Sequence, residues 1–304
     1  MNLSSMEYFV ALARERSFTR AAERLHITQQ SLSAHMAALE KELGCQLILR
    51  RVPLELTYAG EVFLGYAASF QRQLTALHQE FGDIAGNQKG VLRLGVAFTR
   101  GRAILPPLIK AFRARFPQID VHLTEDANDA LHQSLLRGDI DLAIANFPQR
   151  LSGISLRDFY REEVVLLVPG DFLDRPDEAQ VSALGAGDLQ PLAECPFVLG
   201  DQRDIAGRIG REVLAQAGIK PQVAVTSGNV ETLLALCVEG IGGCFCPENL
   251  ARASLTQAQL DRLRILRLGD AGHYMIRFGY LEGAYQWSII SEFMETAMQN
   301  QMLQ

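Results

Sequence analysis

Gln29, Gln30, Ser33, Ala34, Ala37 and Lys41 recur at spacings that set them on one side of a helix. Their chemistry suits base edges: glutamine pairs bidentately with adenine, serine reaches either base type, and alanine lies against a thymine methyl. The other side of the same stretch carries Leu32, Met36, Leu39 and Leu43, an apolar stripe that must be buried. Thr28 stands where the N-cap belongs. The polar side would also suit a solvated face on an ordinary helical hairpin.

A second set of residues suits a small ligand. Thr99, Arg100 and Arg102 follow a strand-like run and precede a helical one; Asn128 precedes a helix at Asp129, and Asn229 one at Val230. Each is polar and stands at a helix N-terminus, where backbone N–H groups lack partners. Singly, each can serve as a cap. Gathered at the carboxyl ends of strands in one cleft, they form an anion site, because helix dipoles favour negative charge there. The expected ligand is small and anionic.

Catalytic constellations are lacking. No Ser/His/Asp order, phosphate loop or zinc spacing stands out, and no cofactor or metal is expected. Asp139 and Asp141 flank Ile140 as a carboxylate pair, but a turn leading into a strand explains them. The six histidines are scattered; His35 lies beside the polar helix face, where it can touch phosphate or cover the core. Five cysteines, an odd number, do not suggest a disulfide framework. Cys244 and Cys246 are two apart in a strand-like run and so point to opposite faces.

The elements that position these residues can be read in turn. Ser4 with Glu7 reads as a capping box opening a helix that buries Met6, Phe9, Val10 and Ala13. Thr19 is placed to cap a short helix with Ala21, Ala22 and Leu25 inward. His26 and Ile27 form a tight turn into the polar-faced helix, and the three make a helix-turn-helix whose second helix enters the major groove. Two short strands, 47–51 and 54–56, with Pro53 near the turn, make a wing with Arg50 and Arg51 at its base. Arg50 is the first choice for a phosphate or minor-groove contact. From Thr57 to Ile84 one long helix carries Tyr58, Val62, Tyr66, Phe70, Leu74, Leu77, Phe81 and Ile84 in a stripe that needs a cover. Gly86 to Gly90 ends it. Beyond, strands at 91–97, 119–123, 142–145, 164–169, 197–199, 223–225, 243–246 and 274–281 alternate with helices at 104–116, 129–137, 205–217, 230–239 and 285–299. Pro106 and Pro107 fall in the first turn of one of these helices. Such alternation implies a mostly parallel α/β sheet.

Ser17-Phe18, Ala21-Ala22, Leu25, Gln29, Leu32-Ser33, Leu39-Glu40, Leu43-Gly44, Leu47, Arg50 and Leu56-Thr57 with Gly60 resemble the N-terminal signature of LysR-type transcriptional regulators. The chain departs from it at Gln30, Ala34 and Ile48, where the family usually has proline, a basic residue and phenylalanine, and Pro53 and Glu55 replace a basic wing. The phrases GVLRLGVAFTRGRAILPPLIKAF, LLRGDIDLAIAN and VEGIGGCFCPE resemble the effector-binding region of the same family. The resemblance implies a winged helix-turn-helix at 1–57, a dimerising linker helix and hinge at 58–89, and a two-lobed, periplasmic-binding-protein-like α/β region at 90–304. Lobe I would be 90–165 with 269–304, and lobe II 166–268. It carries effector contact onto Thr99, Asn128 and 200–202, with Asp201 and Gln202 among them; Arg100 and Asn229 stand beside these, and the expected DNA contacts at Thr28, Gln29, Gln30, Ser33, His35, Arg50 and Arg51 rest on the residues' own chemistry. The implied partners are double-stranded DNA, a small-molecule effector and further copies of the chain, as homodimer or homotetramer.

Composition agrees with a soluble globular protein of 304 residues, 48% of them hydrophobic. The net charge of −6 is not that of a typical nucleic-acid binder, but only one end need touch DNA, and 14–51 holds seven Arg and Lys against four Glu. The start lacks a secretory pattern and no apolar run is long enough for a membrane span, so the expected location is cytoplasmic and a transport binding protein is excluded. Two rivals stay open: an enzyme on a binding-protein fold with a DNA-binding end, and a redox sensor using Cys195 with Cys237. An enzyme would leave the first ninety residues unexplained.

Overall fold

A computed structural model describes residues 2–51, 53–86, 89–173, 188–201, 204–283 and 285–301, without the side chains of Thr99, Leu173 and Gln301. The chain divides into two compact units, Met1–Lys89 with Gly283–Ser291, and Gly90–Glu282 with Glu292–Gln304. Among the described residues no helix is long and apolar enough to cross a membrane.

The first unit begins with α1 (Leu3–Glu15), α2 (Phe18–Arg24) and α3 (Gln29–Leu43). Their inward faces meet in one cluster that includes Phe9, Leu12, Ala21, Leu32, Met36 and Leu39. Two caps differ from expectation. Asn2, not Ser4, caps α1 by accepting from Ser5 N at 2.9 Å, so Ser4 lies inside the first turn. Ser17, not Thr19, caps α2, because the chain is already helical at Phe18. Thr28 caps α3 as read, accepting from Ser31 N at 3.1 Å. Gly44, at φ 71°, ends α3 in the left-handed region that glycine enters without strain.

The wing is β1 (Ile48–Leu49) paired antiparallel with β2 (Glu55–Leu56). Thr57 then caps α4 (Tyr58–Ile84) and also donates its hydroxyl to Gln46 O at 2.7 Å. A Cβ at Gly60 would stand 2.1 Å from Leu47 O, so only glycine lets α4 approach the wing this closely. Phe63 meets Phe9 edge-on at 5.0 Å and fixes the start of α4 to the cluster. Further along, the stripe is uncovered: Tyr66, Phe70, Leu77, Phe81 and Ile84 are all exposed.

The second unit opens with β3 (Gly90–Ala97), α5 (Phe98–Arg115), β4 (Ile119–Asp126), α6 (Asn128–Arg137) and β5 (Leu142–Ala145). Next come β6 (Ile154–Pro169), β7 (Pro196–Gly200), α7 (Ile205–Gln216), β8 (Gln222–Ser227), α8 (Val230–Val238) and β9 (Cys244–Pro247). The rest is α9 (Glu248–Ser254), α10 (Gln257–Leu260), β10 (Leu263–Arg267) and β11 (His273–Leu281); the last helix, α11 (Ser288–Gln301), belongs to the first unit up to Ser291 and to the second from Glu292. Strand β6 belongs to two layers. Its residues from Ile154 to Glu163 pair with β11, beside which β5, β3 and β4 continue the sheet. From Val164 onward it pairs with β9 and β10 instead. A bond from Val198 N to Gly243 O joins β7, and through it β8, to the β9 side.

The mostly parallel sheet expected from alternation is corrected: β3–β4, β3–β5 and β7–β8 are parallel, whereas every pairing of β6 and β11 is antiparallel. These two strands carry the chain between layers and have no crossover helix to reverse them. Helix α5 is also longer than read, so Pro106 and Pro107 lie in its interior. Lacking N–H groups, they free the carbonyls one turn earlier and set the first two turns of α5 apart as a segment facing the strand ends.

Candidate functional site

Two surfaces have the chemistry of recognition, one in each unit. In the first, Gln29, Gln30, Ala34, Ala37 and Lys41 are exposed along α3, and Ser33 is half-buried between them. Their shared face follows from Leu32, Met36 and Leu39 being sunk into the core on the other side. Thr28 holds the helix start. His35 is half-buried with its ring edge-on to Tyr8 at 5.0 Å, which makes it a packing residue between α3 and α1.

Glu40 is a residue that sequence reading left without a role. Its Oε1 accepts from Leu47 N at 2.8 Å and Ile48 N at 3.1 Å, so the end of α3 holds the first strand of the wing. Arg50 is exposed at the wing base, with its guanidinium 5.6 Å from the centre of the Phe18 ring. Such stacking orients a cation without using its hydrogen-bond donors. Arg51 is exposed and lies 3.6 Å from Glu55. Arg24 pairs with Glu15 at 2.8 Å, and Arg20 donates to Glu15 O at 2.6 Å. The local basic surplus is therefore partly offset.

In the second unit a cleft of about 760 Å³ opens beyond the carboxyl ends of β3, β4, β7 and β8. Arg100, Asn128, Asp201 and Asn229 all line it, so segments more than a hundred residues apart in the chain converge. The side chain of Thr99 and all of Gln202 lie outside the described residues. Ala97, Phe98, Arg102, Glu125, Asp126 and Asp204 complete much of the wall.

The caps are arranged differently from expectation. Asn128 is not a cap. It is the first residue of α6, behind Ala127, and its Oδ1 is buried with no partner. Helices α5 and α6 begin at Ala97 and Ala127, which have no side-chain acceptor to offer. Their first N–H groups face the cleft end of the strands, and of these Ala127 N already donates to Asp126 Oδ1 at 2.8 Å. Asn229, by contrast, does cap α8, accepting from Glu231 N at 2.9 Å and Thr232 N at 3.3 Å. Asp204 caps α7 through Gly207 N at 3.0 Å. Burial raises the Asp204 pKa despite this bond and the nearby charge of Arg100.

Arg100 is 2% exposed. Its Nη2 donates to Glu162 Oε2 at 3.0 Å and lies 3.4 Å from the Tyr274 hydroxyl, while Nε has no partner. Tyr160 donates to Glu162 Oε1 at 2.9 Å, and Tyr274 donates to Oε2. Burial opposes the charge on Arg100, but attraction to Glu162 and then to the two tyrosines outweighs it and raises the pKa. Burial, followed by repulsion from the Glu162 carboxylate, raises both phenols. Glu162 and Tyr274 are register partners on β6 and β11, one residue before β6 changes layers. Nothing local in the sequence marked them, since they lie 62 and 174 residues from Arg100.

Cys195 and Cys237 show no sign of activation. Cys237 is buried with Sγ 3.5 Å from Leu167 O, and a bond with Cys244, then burial, raises its pKa. Burial and Glu194 raise that of Cys195. Thiols held protonated are poor nucleophiles. Among the described residues no three His, Cys, Asp or Glu side chains gather as for a metal ion.

Comparison with known proteins matches both units. Residues 3–61 match the model of the bacterial regulatory helix-turn-helix protein, lysR family, and residues 85–301 match the LysR substrate binding domain. The HTH-type transcriptional activator IlvY of Salmonella typhimurium is 30% identical over 273 residues, covering 89% of this chain and 90% of its own. The HTH-type transcriptional regulator YcgK of Bacillus subtilis is 28% identical, covering 99% of this chain and 95% of its own. Among solved structures, full-length CbnR complexed with its target DNA is 25% identical, with a TM-score of 0.64 over 98% of this chain and 99% of that one. A full-length OxyR variant from Pseudomonas aeruginosa is 22% identical and shares the fold, with a TM-score of 0.73 over 98% of this chain and 94% of that one.

Proposed function

This chain belongs to the LysR family of bacterial regulatory helix-turn-helix proteins, and from that membership we propose a cytoplasmic, DNA-binding transcription regulator, not an enzyme, governed by a small effector held in the 90–304 cleft. The observation that carries the proposal is the exposed Gln29–Gln30–Ala34–Ala37 face of α3, a helix fixed at its start by Thr28 and tied to the wing by Glu40. That face is shaped to lie against base edges, with Arg50 and Arg51 supplying phosphate contacts from the wing. CbnR, similar along nearly its whole length, is complexed with its target DNA.

The chain acts as a homodimer or a tetramer built from dimers. The stripe along α4 leaves Tyr66 73%, Phe81 63% and Ile84 74% exposed, a row of apolar side chains that a second copy of the helix would cover. Two copies also present two recognition helices to two half-sites and double the phosphate contacts. The effector is sensed in the cleft lined by Arg100, Asn128, Asp201 and Asn229, with Thr99 and Gln202 adjoining in sequence. Among the described residues no constellation for bond-making chemistry accompanies it.

The test is selection of bound sequences from a random duplex pool by the full-length protein, followed by metabolite screening of the chosen complex. The expected result is a two-half-site motif and at least one metabolite that changes its affinity while being recovered unaltered. Turnover of the metabolite, or binding with no sequence preference, would overturn this reading.

A further inference from the structure

Two polar atoms in the wall of the cleft are sealed from solvent and lack a partner, and they are of opposite kind. Arg100 Nε is a donor and Asn128 Oδ1 is an acceptor. Native structures rarely leave buried polar atoms unpaired, and a pair of them in one cleft points to bonds that a ligand supplies. Arg100 is held by Glu162 beneath the cleft, so its Nε cannot turn out to water. A pure anion brings acceptors only: it satisfies Arg100 and sets lone pair against lone pair at Asn128. A pure cation fails in the reverse sense.

Charge sorts the cleft in the same way. The start of α5, uncapped behind Ala97, offers backbone N–H groups and the positive end of a dipole to a carboxylate, whereas at α6 the Asp126 carboxylate already accepts from Ala127 N at 2.8 Å. Among the described residues Glu125, Asp126 and Asp204 add acidic charge to the cleft beyond the pairs that Arg100 and Arg102 make. Both guanidiniums already have carboxylate partners, Arg100 in Glu162 and Arg102 in Glu231 at 3.3 Å. A second carboxylate would be repelled by such a wall, and an ammonium group drawn to it. Phe98, Ile205, Val230 and Leu250 supply apolar wall for the rest of a small molecule.

We propose that the effector is a zwitterion of the amino-acid kind. Its carboxylate lies at the open start of α5 beside Arg100 Nε, and its ammonium donates to Asn128 Oδ1 and faces the surrounding carboxylates. This deepens the sensor reading above, on which it rests, and replaces the simple anion expected from the sequence.

The experiment is calorimetric titration of the full-length protein with the twenty proteinogenic L-amino acids. The tightest binder is then compared with its des-amino carboxylate and its decarboxylated amine. At least one amino acid should bind, and removing either charged group should weaken it at least about 10-fold, or about 1.4 kcal/mol. Asn128→Leu should weaken the amino acid to a similar degree but not weaken the des-amino carboxylate, which is freed of an unfavourable lone pair there. Asp126→Asn, an isosteric change outside the helix, repeats that comparison if Asn128→Leu does not fold. Binding by none of the twenty, or equal binding of the des-amino carboxylate, overturns the proposal. A set of mono- and dicarboxylates separates the two levels. If these bind and alter DNA affinity, the zwitterion falls and the sensor stands; if neither set alters DNA affinity, the sensor falls too.

Discussion

Gln30 and Arg50 are both exposed on the first unit, yet their loss should be felt differently. Gln30 is on the face of α3 proposed to read base edges, so Gln30→Ala should relax preference at one position of each half-site, costing about 1–3 kcal/mol there. Arg50 is held over the Phe18 ring at the wing base, where a phosphate contact is proposed, so Arg50→Ala should weaken every sequence alike and reduce the salt slope by about one. Fluorescence anisotropy on an operator and its single-base variants, at several salt concentrations, distinguishes them. Uniform loss in both variants would reverse the assignment of reader and anchor. The residues of this face were legible because a helical period separates them from a buried stripe, and Thr28 marks where it starts. Arg100 was not legible in the same way. What makes it a buried cation is Glu162 and Tyr274, which reach it only after the sheet has formed, and an arginine taken alone belongs at the surface.

At the scale of elements, α4 presents the clearest unmet demand. Its stripe runs from Tyr58 to Ile84 and is exposed from the start, at Tyr58, Val62 and Tyr66; what α4 buries in its own unit is another face, around Phe63 and Ala67. Phe70→Asp with Leu74→Asp should therefore yield monomers whose DNA affinity falls steeply, since two half-site contacts become one. Light scattering of the full-length double variant checks this, and a persisting dimer would move the interface elsewhere. The far end of α4 has another task. Asp83 accepts from Tyr285 Oη at 2.6 Å and from Ser288 N at 2.9 Å, and Ser288 is the first residue of α11. Burial alone would raise the Asp83 pKa, but bonds from Ser288 and Tyr285 outweigh it and lower it from 3.8. The sign follows: this contribution to stability is complete above the unfolded value of 3.8 and fades as pH falls through the lower folded one. The Asp83 bond also pushes the Tyr285 pKa up to about 12, so the phenol keeps its proton at every pH where the carboxylate is charged and the protein is ordinarily handled. Asp83→Asn should melt earlier than the parent near neutral pH and approach it below about pH 4; a constant gap across that range would show that charge is not what Asp83 contributes. The ends of α4 could be read from Thr57 and the glycines after Ile84. The first ten residues of β6 could not, because Arg157, Asp158, Arg161 and Glu162 crowd the stretch with charge, and Glu162 points inward to a partner the sequence does not announce.

For the whole molecule, the question is how occupation of the cleft can be felt beyond it. Any effector that changes DNA affinity by some factor must have its own affinity changed by DNA by the same factor, and that requires an arrangement of the protein that both sense. The Arg100–Glu162–Tyr274 cluster stands where such a change would register, between the cleft wall and the point at which β6 passes from one layer to the other. It is also costly to disturb, since a buried charge left alone is penalised more than a buried pair removed together. Glu162→Gln should therefore destabilise the second unit by about 3–5 kcal/mol, lowering its calorimetric Tm by on the order of 10 °C. Replacing both partners, Arg100→Met with Glu162→Leu, should recover much of that stability, because no charge is then stranded. The effector response should not recover with it, because Arg100 Nε is gone. Calorimetry on the parent, the single variant and the double variant, with effector titration of the double, separates the two roles. A double variant as unstable as the single one would mean that shape, and not stranded charge, sets the cost. A double variant that still binds effector normally would remove Arg100 from the site.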